Sequence, residues 1–334
     1  MRVESFKYPL PESAVAQEAI EPRHHSRLLD TRDMSDHRFL DLPSLLRPGD
    51  LVVVNETRVR AARLSGHRRD TGGSVELLVL EARRDGLWTA LARPSRRLRP
   101  GLEIEMEGIE ASIVEGPEDG LVVVDLRAAD VEEAIAAAGK IPLPPYFHGT
   151  LDDPDRYQTM FARSTGSAAA PTAGLHFTPE VAAGLRGRKI EIASVDLHVG
   201  IDTFRSITAD EVEQHVMHSE WCSIPATTAA AISRTRAAGG RIVAVGTTVV
   251  RTLETFATED RTVIAGNGET DLFLRPGDAF RVVDALVTNF HLSGSTLVVL
   301  VAAFMGERWR QAYQLALDRG YRFLSFGDAM YAER

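Results

Sequence analysis

Two patterns of apolar residues follow one another along this chain, and together they restrict its fold more than any other feature. From residue 51 to 126 the apolar runs are short, and turn dipeptides such as Asp85-Gly86 and Pro100-Gly101 separate them. Beyond residue 131, patterns of helix length and strand length alternate. Closely spaced strands are typical of a small barrel or sandwich, whereas alternating helices and strands are typical of an α/β domain.

These patterns predict two domains, one inserted into the other. A helix over VEEAIAAA, closed by Gly139, and the proline-rich segment IPLPPYFHG end the β-rich part. The stretch up to Asn55 ends in a strand of its own, LVVVN, and YRFLSF near the C-terminus is expected to be another strand. We therefore predict an α/β main domain with a mixed sheet (residues 1–57 and 145–334) and an inserted small antiparallel β-barrel domain (residues 58–144). A chain of 334 residues is long enough for two domains at about 150 residues each.

Composition excludes several classes of protein. The chain is 44% hydrophobic and 25% charged, as in ordinary globular proteins, which excludes disordered, fibrous and collagen-like chains. Its longest apolar run, Leu297 to Met305, has nine residues, against about 20 for a membrane-spanning helix. The N-terminus lacks the apolar core of a secretory signal, and one cysteine, Cys222, allows no intramolecular disulfide. We expect a cytoplasmic protein without a membrane partner.

The net charge of −9 conceals a basic segment. Between Arg58 and Arg99 there are eleven arginines and four acidic residues, so this segment carries +7 and the rest of the chain −16. Local basic density, rather than total charge, binds a phosphate backbone. The pattern also fits a set of solvated strand faces, so charge alone leaves both interpretations open.

Four short polar motifs in the second half of the chain contain five histidines. The motifs are TAGLH, LHVG, HVMH and NFH, and the histidines are His176, His198, His215, His218 and His291. Each motif follows or ends an apolar run, which places it where a strand meets a loop, and ligands bind at that edge of α/β sheets. A lone histidine at such a place is more often structural, but four motifs in one domain favour a binding site.

The segment GGRIVAVGTTVVRTLE predicts a strand that ends at Gly246, followed by a helix opened by Thr247 and Thr248. The free N–H groups and dipole of a helix N-terminus attract anions, and Arg251 in the first turns is able to bind a carboxylate or phosphate. The spacing matches neither the Walker motif nor the dinucleotide-binding fingerprint. The alternative is a tight turn with Thr247 as a helix cap.

A zinc site formed by His215, His218 and Cys222 is a weaker hypothesis. These side chains are of the types that ligate zinc, but a fourth ligand and the usual cysteine pairs are missing. Cys222 lies in WCSIP, which is typical of the start of a strand, so a nucleophilic role for it is not favoured.

Taken together, twelve motifs resemble one known family. They are, in chain order, SRLL, RPGDLVVVNETRVRAARL, TGGSVELLVLE, RPSRRLRPG, IPLPPY, DRYQT, AAPTAGLHFTPE, LHVGIDTF, HVMHSEW, GGRIVAVGTTVVRTLE, TNFHLSGSTLVVLVAAF and YRFLSFGDAM. In this order they are similar to the S-adenosylmethionine:tRNA ribosyltransferase-isomerase family of queuosine biosynthesis. The resemblance runs from about Phe6 to Met330, nearly the whole chain.

The resemblance implies an α/β domain with an inserted β-barrel and a specific reaction. The ribosyl part of S-adenosylmethionine is transferred to the aminomethyl group of a deazaguanine base at the anticodon wobble position of tRNA. It is rearranged there to the epoxycyclopentanediol of epoxyqueuosine, and adenine and methionine are released. S-adenosylmethionine is then a co-substrate, with no true cofactor and no metal. The partners are the anticodon stem-loop of tRNA and S-adenosylmethionine, and we expect a monomer.

The same resemblance suggests roles for individual residues. A sulfonium acidifies the neighbouring ribose C5′ protons, so a histidine base is able to start the reaction. The candidate catalytic residues are His176 (the preferred base), His198, His291, Glu220 and Asp328. The candidate substrate-binding residues are Thr172, Gly174, His215, His218, Gly246, Thr247, Thr248, Arg251 and Asn289. The candidates for binding tRNA phosphates are Arg58, Arg93, Arg96, Arg97 and Arg99.

The chain departs from the family pattern at four positions. Asp202 stands at a usual glycine, Glu56 at a usual aspartate, and Ser293 and Ala19 at usual prolines. Asp202 follows the LHVG motif, so it bears on the acceptor more than on the donor. Two alternatives remain: a diverged paralogue that uses the same donor on a small-molecule amine, and a non-catalytic tRNA-binding protein.

Overall fold

A computed structural model describes residues 1–118, 120–149, 151, 153–200 and 206–334. The chain forms two compact units, one of residues 1–58 and 144–334, the other of residues 59–143. Asp202 lies outside the described residues. No helix within the described ranges is long and apolar enough to cross a membrane.

The larger unit is built on a nine-stranded mixed sheet. Its strands are β1 (Arg27–Asp30), β2 (Ser35–Arg38), β3 (Leu51–Asn55), β12 (Glu191–Leu197), β13 (Glu220–Ile224), β14 (Ile242–Val245), β15 (Gly266–Thr270), β16 (Ala285–Asn289) and β17 (Ala329–Glu333). They lie in the order β15-β13-β12-β3-β14-β16-β17-β1-β2. The central strands β12, β3, β14 and β16 are parallel, and β17 is antiparallel to β16 but parallel to β1.

Helices cover both faces of this sheet, which explains the unbroken apolar runs of its central strands. The helices are α1 (Leu42–Leu45), α3 (Pro179–Gly187), α4 (Ala226–Ala237), α5 (Thr247–Thr255), α6 (Thr296–Met305) and α7 (Arg308–Asp318). Along β3, Leu51 and Val53 pack into the core that contains α4 to α7, while Val52 and Val54 pack into the core that contains α1 and α3. A strand buried on both faces needs apolar residues at every position.

Four strand ends meet at one edge of the sheet. The parallel strands β12, β3, β14 and β16 all have their carboxyl ends there. Because β17 is antiparallel to β16, with Ala329 opposite Asn289, the amino ends of β17 and its parallel neighbour β1 lie at the same edge. Loops that are far apart in sequence, including the motifs with His198, Gly246 and Asn289, are thereby brought together.

The smaller unit is a closed antiparallel barrel of six strands, in the order β10-β7-β6-β5-β8-β9. The strands are β5 (Arg63–Arg68), β6 (Ser74–Ala82), β7 (Trp88–Arg93), β8 (Glu103–Met106), β9 (Ile109–Glu118) and β10 (Leu121–Arg127), and α2 (Val131–Ala138) follows them. Alternate residues fill the barrel, as in β10, where Val122, Val124 and Leu126 are buried. Two short strands, β4 (Thr57–Val59) and β11 (Ser164–Ser167), pair with each other. The predicted fold class is confirmed.

One predicted strand is wrong. The segment YRFLSF forms a tight loop before β17 and belongs to no named strand. Leu324 has φ 68°, and a Cβ on Gly327 would lie 2.4 Å from the Arg322 carbonyl oxygen. The apolar residues of this segment are buried by the fold around them, so a run of apolar residues alone did not distinguish the loop from a strand.

Candidate active site at the carboxyl edge of the sheet

A cleft opens at the carboxyl edge of the sheet in the larger unit. Its space of about 620 Å³ includes the open solvent at its mouth. The candidate substrate-binding and catalytic residues that line it are Thr172, Gly246, Thr247, Thr248, Asn289 and His291. Six residues from three separate sequence motifs are therefore gathered around one space.

The start of α5 forms part of this cleft. Gly246 precedes the helix with φ 91°, a conformation that favours glycine. No side chain caps the helix, which leaves its first N–H groups available to a ligand. Thr247 and Thr248 are buried, and the Thr248 Oγ1 has no hydrogen-bond partner among the described residues. A buried hydroxyl without a partner is costly, so this position is suited to a polar or anionic group of a ligand.

Asn289, at the end of β16, connects several parts of the site. Its Nδ2 donates to His176 Nε2 at 3.1 Å and to the carbonyl oxygen of Leu324 at 3.2 Å, and Thr172 Oγ1 donates to its Oδ1 at 3.2 Å. Since Oδ1 accepts and Nδ2 donates to a carbonyl, the orientation of the amide is determined by its surroundings. Asn289 therefore holds the TAGLH motif and the loop before β17 against the cleft.

His176 is buried beside the cleft, in a setting that disfavours a basic role. Its Nδ1 lies 2.7 Å from Ser26 Oγ, its Nε2 accepts from Asn289, and its ring stacks on Phe39. Burial lowers its pKa to about 3, and the positive charges of Arg322 and Arg23 act in the same direction. A neutral ring with both nitrogens engaged is a weak base, so the structure favours a positioning role.

His291 lines the cleft but is also held in place. The Thr288 Oγ1 lies 2.9 Å from its Nε2, and its backbone N–H donates to Tyr313 Oη at 3.1 Å. The Tyr8 hydroxyl donates to its carbonyl oxygen. Burial lowers the pKa of the His291 imidazole to about 3, so the ring is neutral near pH 7.

His198 has the least constrained imidazole of the three catalytic candidates. Its Nε2 lies 3.5 Å from Asp196 Oδ2, and neither this nitrogen nor Asp196 Oδ1 has a hydrogen-bond partner among the described residues. The ring packs against Trp221 and against Gly166, where a Cβ would lie 2.2 Å from the ring. The next residue, Val199, lines the cleft, whereas the His198 side chain itself is not among the lining residues. An imidazole beside a buried carboxylate is a common arrangement for a general base.

Glu220 and Arg251 form a buried ion pair with each other. The other donors of Arg251 go to the carbonyl oxygens of Leu272 and Thr270, at 3.0 and 3.1 Å, and Glu220 Oε1 accepts from the Gly200 N–H at 2.7 Å. Neither side chain lines the cleft. The geometry thus gives this pair a positioning role on Gly200, rather than direct contact with a substrate carboxylate.

Asp328 is likewise engaged by the backbone. Its two oxygens accept from the N–H groups of Arg27 and Arg322, both at 2.8 Å. It is fully buried and fixes the tight loop before β17 to the start of β1. Contacts with ribose hydroxyls or the amine, which the sequence suggested for Asp328, are not favoured by this geometry.

The remaining candidates lie away from the cleft. Gly174 is buried in the 3-10 helix Thr172–His176, where a Cβ would lie 3.0 Å from Thr159. His215 packs edge-on against Phe273, and His218 is exposed. Within the described ranges no group of three His, Cys, Asp or Glu side chains is placed to hold a metal. Cys222 is buried and burial raises its pKa to about 11, a value that disfavours a nucleophilic thiolate.

The structure divides the basic segment into paired and unpaired arginines. Arginines 58, 60, 63, 68, 69 and 83 each lie within 4 Å of a carboxylate, and Arg58 contacts Asp155 in the larger unit. Arg93, Arg96, Arg97 and Arg99 are exposed, and within the described part of the chain no ion pair holds them. These four are clustered in RPSRRLR, which begins at the end of β7, and Asp70 acts electrostatically on Arg99 without forming an ion pair within 4 Å.

Three residues of the site were not predicted from sequence. Ser26 bonds to His176, Asp196 faces His198, and Ser325 lines the cleft. Ser26 opens the SRLL motif, and Asp196 stands in β12 two positions before His198, which directly follows that strand. The alternation along β12 was therefore a usable signal for Asp196, whereas the contact of Ser26 with His176 required the fold.

Comparison with known proteins shows the family of this chain. The family model for queuosine biosynthesis proteins matches residues 3–332. An S-adenosylmethionine:tRNA ribosyltransferase-isomerase of Anaeromyxobacter sp. is 51% identical and that of Symbiobacterium thermophilum 49%, with at least 99% of each chain covered. The crystal structure of S-adenosylmethionine tRNA ribosyltransferase from Thermotoga maritima is 37% identical, with a TM-score of 0.55 over 98% of this chain and 99% of that one. The chain belongs to the queuosine biosynthesis protein family.

Proposed function

We propose that the cleft at the carboxyl edge of the sheet is the place where this chain performs the reaction of its family. The chain is an S-adenosylmethionine:tRNA ribosyltransferase-isomerase, an enzyme of queuosine biosynthesis that uses S-adenosylmethionine as ribosyl donor. The acceptor is the aminomethyl group of a deazaguanine base at the wobble position of tRNA, and the product is epoxyqueuosine. Adenine and methionine leave.

The start of α5, which no side chain caps, is the observation that supports this cleft as the donor site. Its free N–H groups and the unpartnered Thr248 hydroxyl are suited to the methionine carboxylate of the donor. Thr247 lies beside them, and His291 lines the same space with a neutral imidazole. This arrangement holds the donor by its charged end.

We assign the proton abstraction at the ribose C5′ carbon to His198, with Asp196 as its positioning residue. The adjacent sulfonium acidifies that proton, and because the buried Nε2 of His198 faces Asp196 at 3.5 Å, the ring nitrogen that accepts the proton is Nδ1. The hydrogen-bonded series Ser26, His176 and Asn289 would instead keep the cleft wall rigid. Glu220, paired with Arg251, would hold Gly200, two residues after His198, in place.

The acceptor tRNA is bound in part by the exposed arginines Arg93, Arg96, Arg97 and Arg99. Their charges are not neutralised by neighbouring carboxylates within 4 Å among the described residues, and phosphates are the usual partners of such a cluster. We place the enzyme in the cytoplasm because its tRNA substrate is there. A single chain is the catalytic unit in this proposal.

The test is one incubation of the protein with S-adenosylmethionine and tRNA that carries the aminomethyl-deazaguanine base. Released adenine and the mass of the modified nucleoside are measured together. Adenine release with the added epoxycyclopentanediol mass is expected. Adenine release without modified tRNA would point to a small-molecule amine acceptor, and neither product from folded protein would contradict the proposed function.

A further inference from the structure

A second cavity lies beside the cleft, in the same unit. It is a small depression, with about 300 Å³ of space that includes open solvent, and Ser325 lines both it and the cleft. Its wall also includes His176, whose Nε2 accepts from Asn289 of the cleft. The two cavities are therefore separated by little more than one pair of side chains.

Three arginines, Arg23, Arg156 and Arg322, line this second cavity, and its described lining contains no carboxylate. Arg156 pairs with Glu21 nearby. Within the described ranges Arg23 donates to the carbonyl oxygens of Gln158, Asp155 and Arg156, at 2.7, 3.1 and 3.2 Å. The carboxylates of Asp153 and Asp155 act on Arg23 electrostatically, so its positive charge is compensated in part.

Arg322 is the least satisfied of the three. Its Nη1 donates to the Glu18 carbonyl oxygen at 3.0 Å, whereas its buried Nη2 has no hydrogen-bond partner among the described residues. The nearest carboxylate oxygen, of Asp328, is 3.9 Å away, and Asp328 already accepts two backbone N–H groups. The charges of Arg322 and Arg23 also help to lower the pKa of His176, which indicates a positive potential in this cavity.

We propose that the arginine-lined cavity binds a backbone phosphate of the tRNA, next to the nucleotide that enters the cleft. This inference rests on the proposed function. A base that reaches the donor brings its flanking phosphates with it, and those phosphates need cationic partners close to the cleft. Arginine binds phosphate oxygens through two parallel N–H groups, a geometry that an unpartnered Nη2 favours.

The methionine carboxylate of the donor is an anion of similar chemistry, but the structure offers it another place. The uncapped start of α5 lies in the cleft itself, whereas the arginines lie in the neighbouring cavity. A phosphodiester carries the same single negative charge as a carboxylate, so the separate positions of the two sites, rather than their charge, assign the phosphate to the arginines.

The experiment uses the variants Arg322→Gln and Arg156→Gln, with Arg234→Gln as the matched control. Arg234 is an exposed arginine on α4, away from both cavities, so its replacement removes the same charge. Dissociation constants for tRNA at several salt concentrations, and for S-adenosylmethionine alone, are measured for each protein. We expect about tenfold weaker tRNA binding for Arg322→Gln and a salt slope lower by about 0.7. Binding of S-adenosylmethionine and the behaviour of the control remain as in the wild type.

Two outcomes overturn the proposal. Unchanged tRNA affinity and salt slope in folded variants would leave the arginines as structural residues, and a selective loss of S-adenosylmethionine affinity would assign the cavity to the carboxylate. Arg322→Lys keeps the positive charge and is expected to retain the salt slope. It therefore separates the effect of the lost charge from an effect of misfolding. Wild-type turnover is measured in parallel: an inactive wild type refutes the proposed function, whereas an active wild type with unaffected variants refutes only this inference.

Discussion

Asn289 donates a hydrogen bond to the Nε2 of His176, and this contact determines the protonation of a buried imidazole. Because Nε2 accepts, the ring proton is on Nδ1 and points to Ser26 Oγ. Both ring nitrogens are thus engaged within the protein. The TAGLH motif was expected to supply the catalytic base, but its histidine instead supports the wall of the cleft.

Stability is expected to fall with acid because His176 and His291 are buried as neutral rings. Burial lowers the pKa of each to about 3, below the ordinary 6.5, so the unfolded chain takes up protons that the folded chain does not. Stability is therefore complete above about pH 6.5 and declines as pH falls from there toward 3. Each histidine contributes a slope approaching about 1.4 kcal/mol per pH unit.

Urea unfolding between pH 7 and 5 measures this slope, in a range where carboxylates titrate little. His176→Gln and His291→Gln should each reduce it. Equal slopes in wild type and both buried variants would show that these rings are not held neutral.

Thr248→Val is expected to weaken S-adenosylmethionine binding without loss of stability. The Thr248 hydroxyl is buried and has no partner in the described structure, so an isosteric methyl removes nothing from the free protein. A lost hydrogen bond to the ligand corresponds to about threefold to tenfold weaker binding, measured by calorimetry. Thr228→Val is the control, because that hydroxyl donates to the Ser194 carbonyl oxygen at 2.6 Å. Thr228→Val should lower stability but leave ligand affinity unchanged. Weaker binding by Thr228→Val and unchanged binding by Thr248→Val would contradict a donor site at α5.

His198→Ala is expected to lower kcat by about 100-fold or more, the usual contribution of a general base. Added imidazole should restore part of the activity, which a merely structural histidine would not show. Asp196→Asn should lower kcat without a change in S-adenosylmethionine affinity, because Asp196 touches His198 rather than the donor. Asp318→Asn, at an exposed position on α7, serves as the control. Full activity of His198→Ala would exclude it as the base.

Replacement of Arg96 and Arg97 by alanine is expected to weaken tRNA binding and flatten its salt dependence. Each lost phosphate contact lowers the slope of log K against log salt by about 0.7 to 0.9. Arg83→Ala is the control, because Arg83 is already paired with Asp85 and Glu115. A slope equal to that of the wild type would leave the cluster as a solvated face.

The sequence by itself determined the main features of the fold. Unbroken apolar runs such as LVVVN indicated strands buried on both faces, and alternating runs with turn dipeptides indicated the barrel, because burial imposes these periods locally. Polar motifs at strand ends were expected to meet at one edge of the sheet. The residues Thr172, Gly246, Thr248 and Asn289 do line one cleft there. The order of the motifs identified the family, and the family indicates the reaction.

Only the tertiary structure decided what each polar side chain contacts. Residue type and spacing do not show that Arg251 is neutralised by Glu220, that Asp328 accepts backbone N–H groups, or that Asp196 faces His198. Burial, hydrogen-bond partners and pKa depend on groups brought together from distant parts of the chain, as with Ser26 and His176. A local pattern is able to specify which strand ends meet, but the protonation and availability of a side chain there depend on the neighbours that packing supplies.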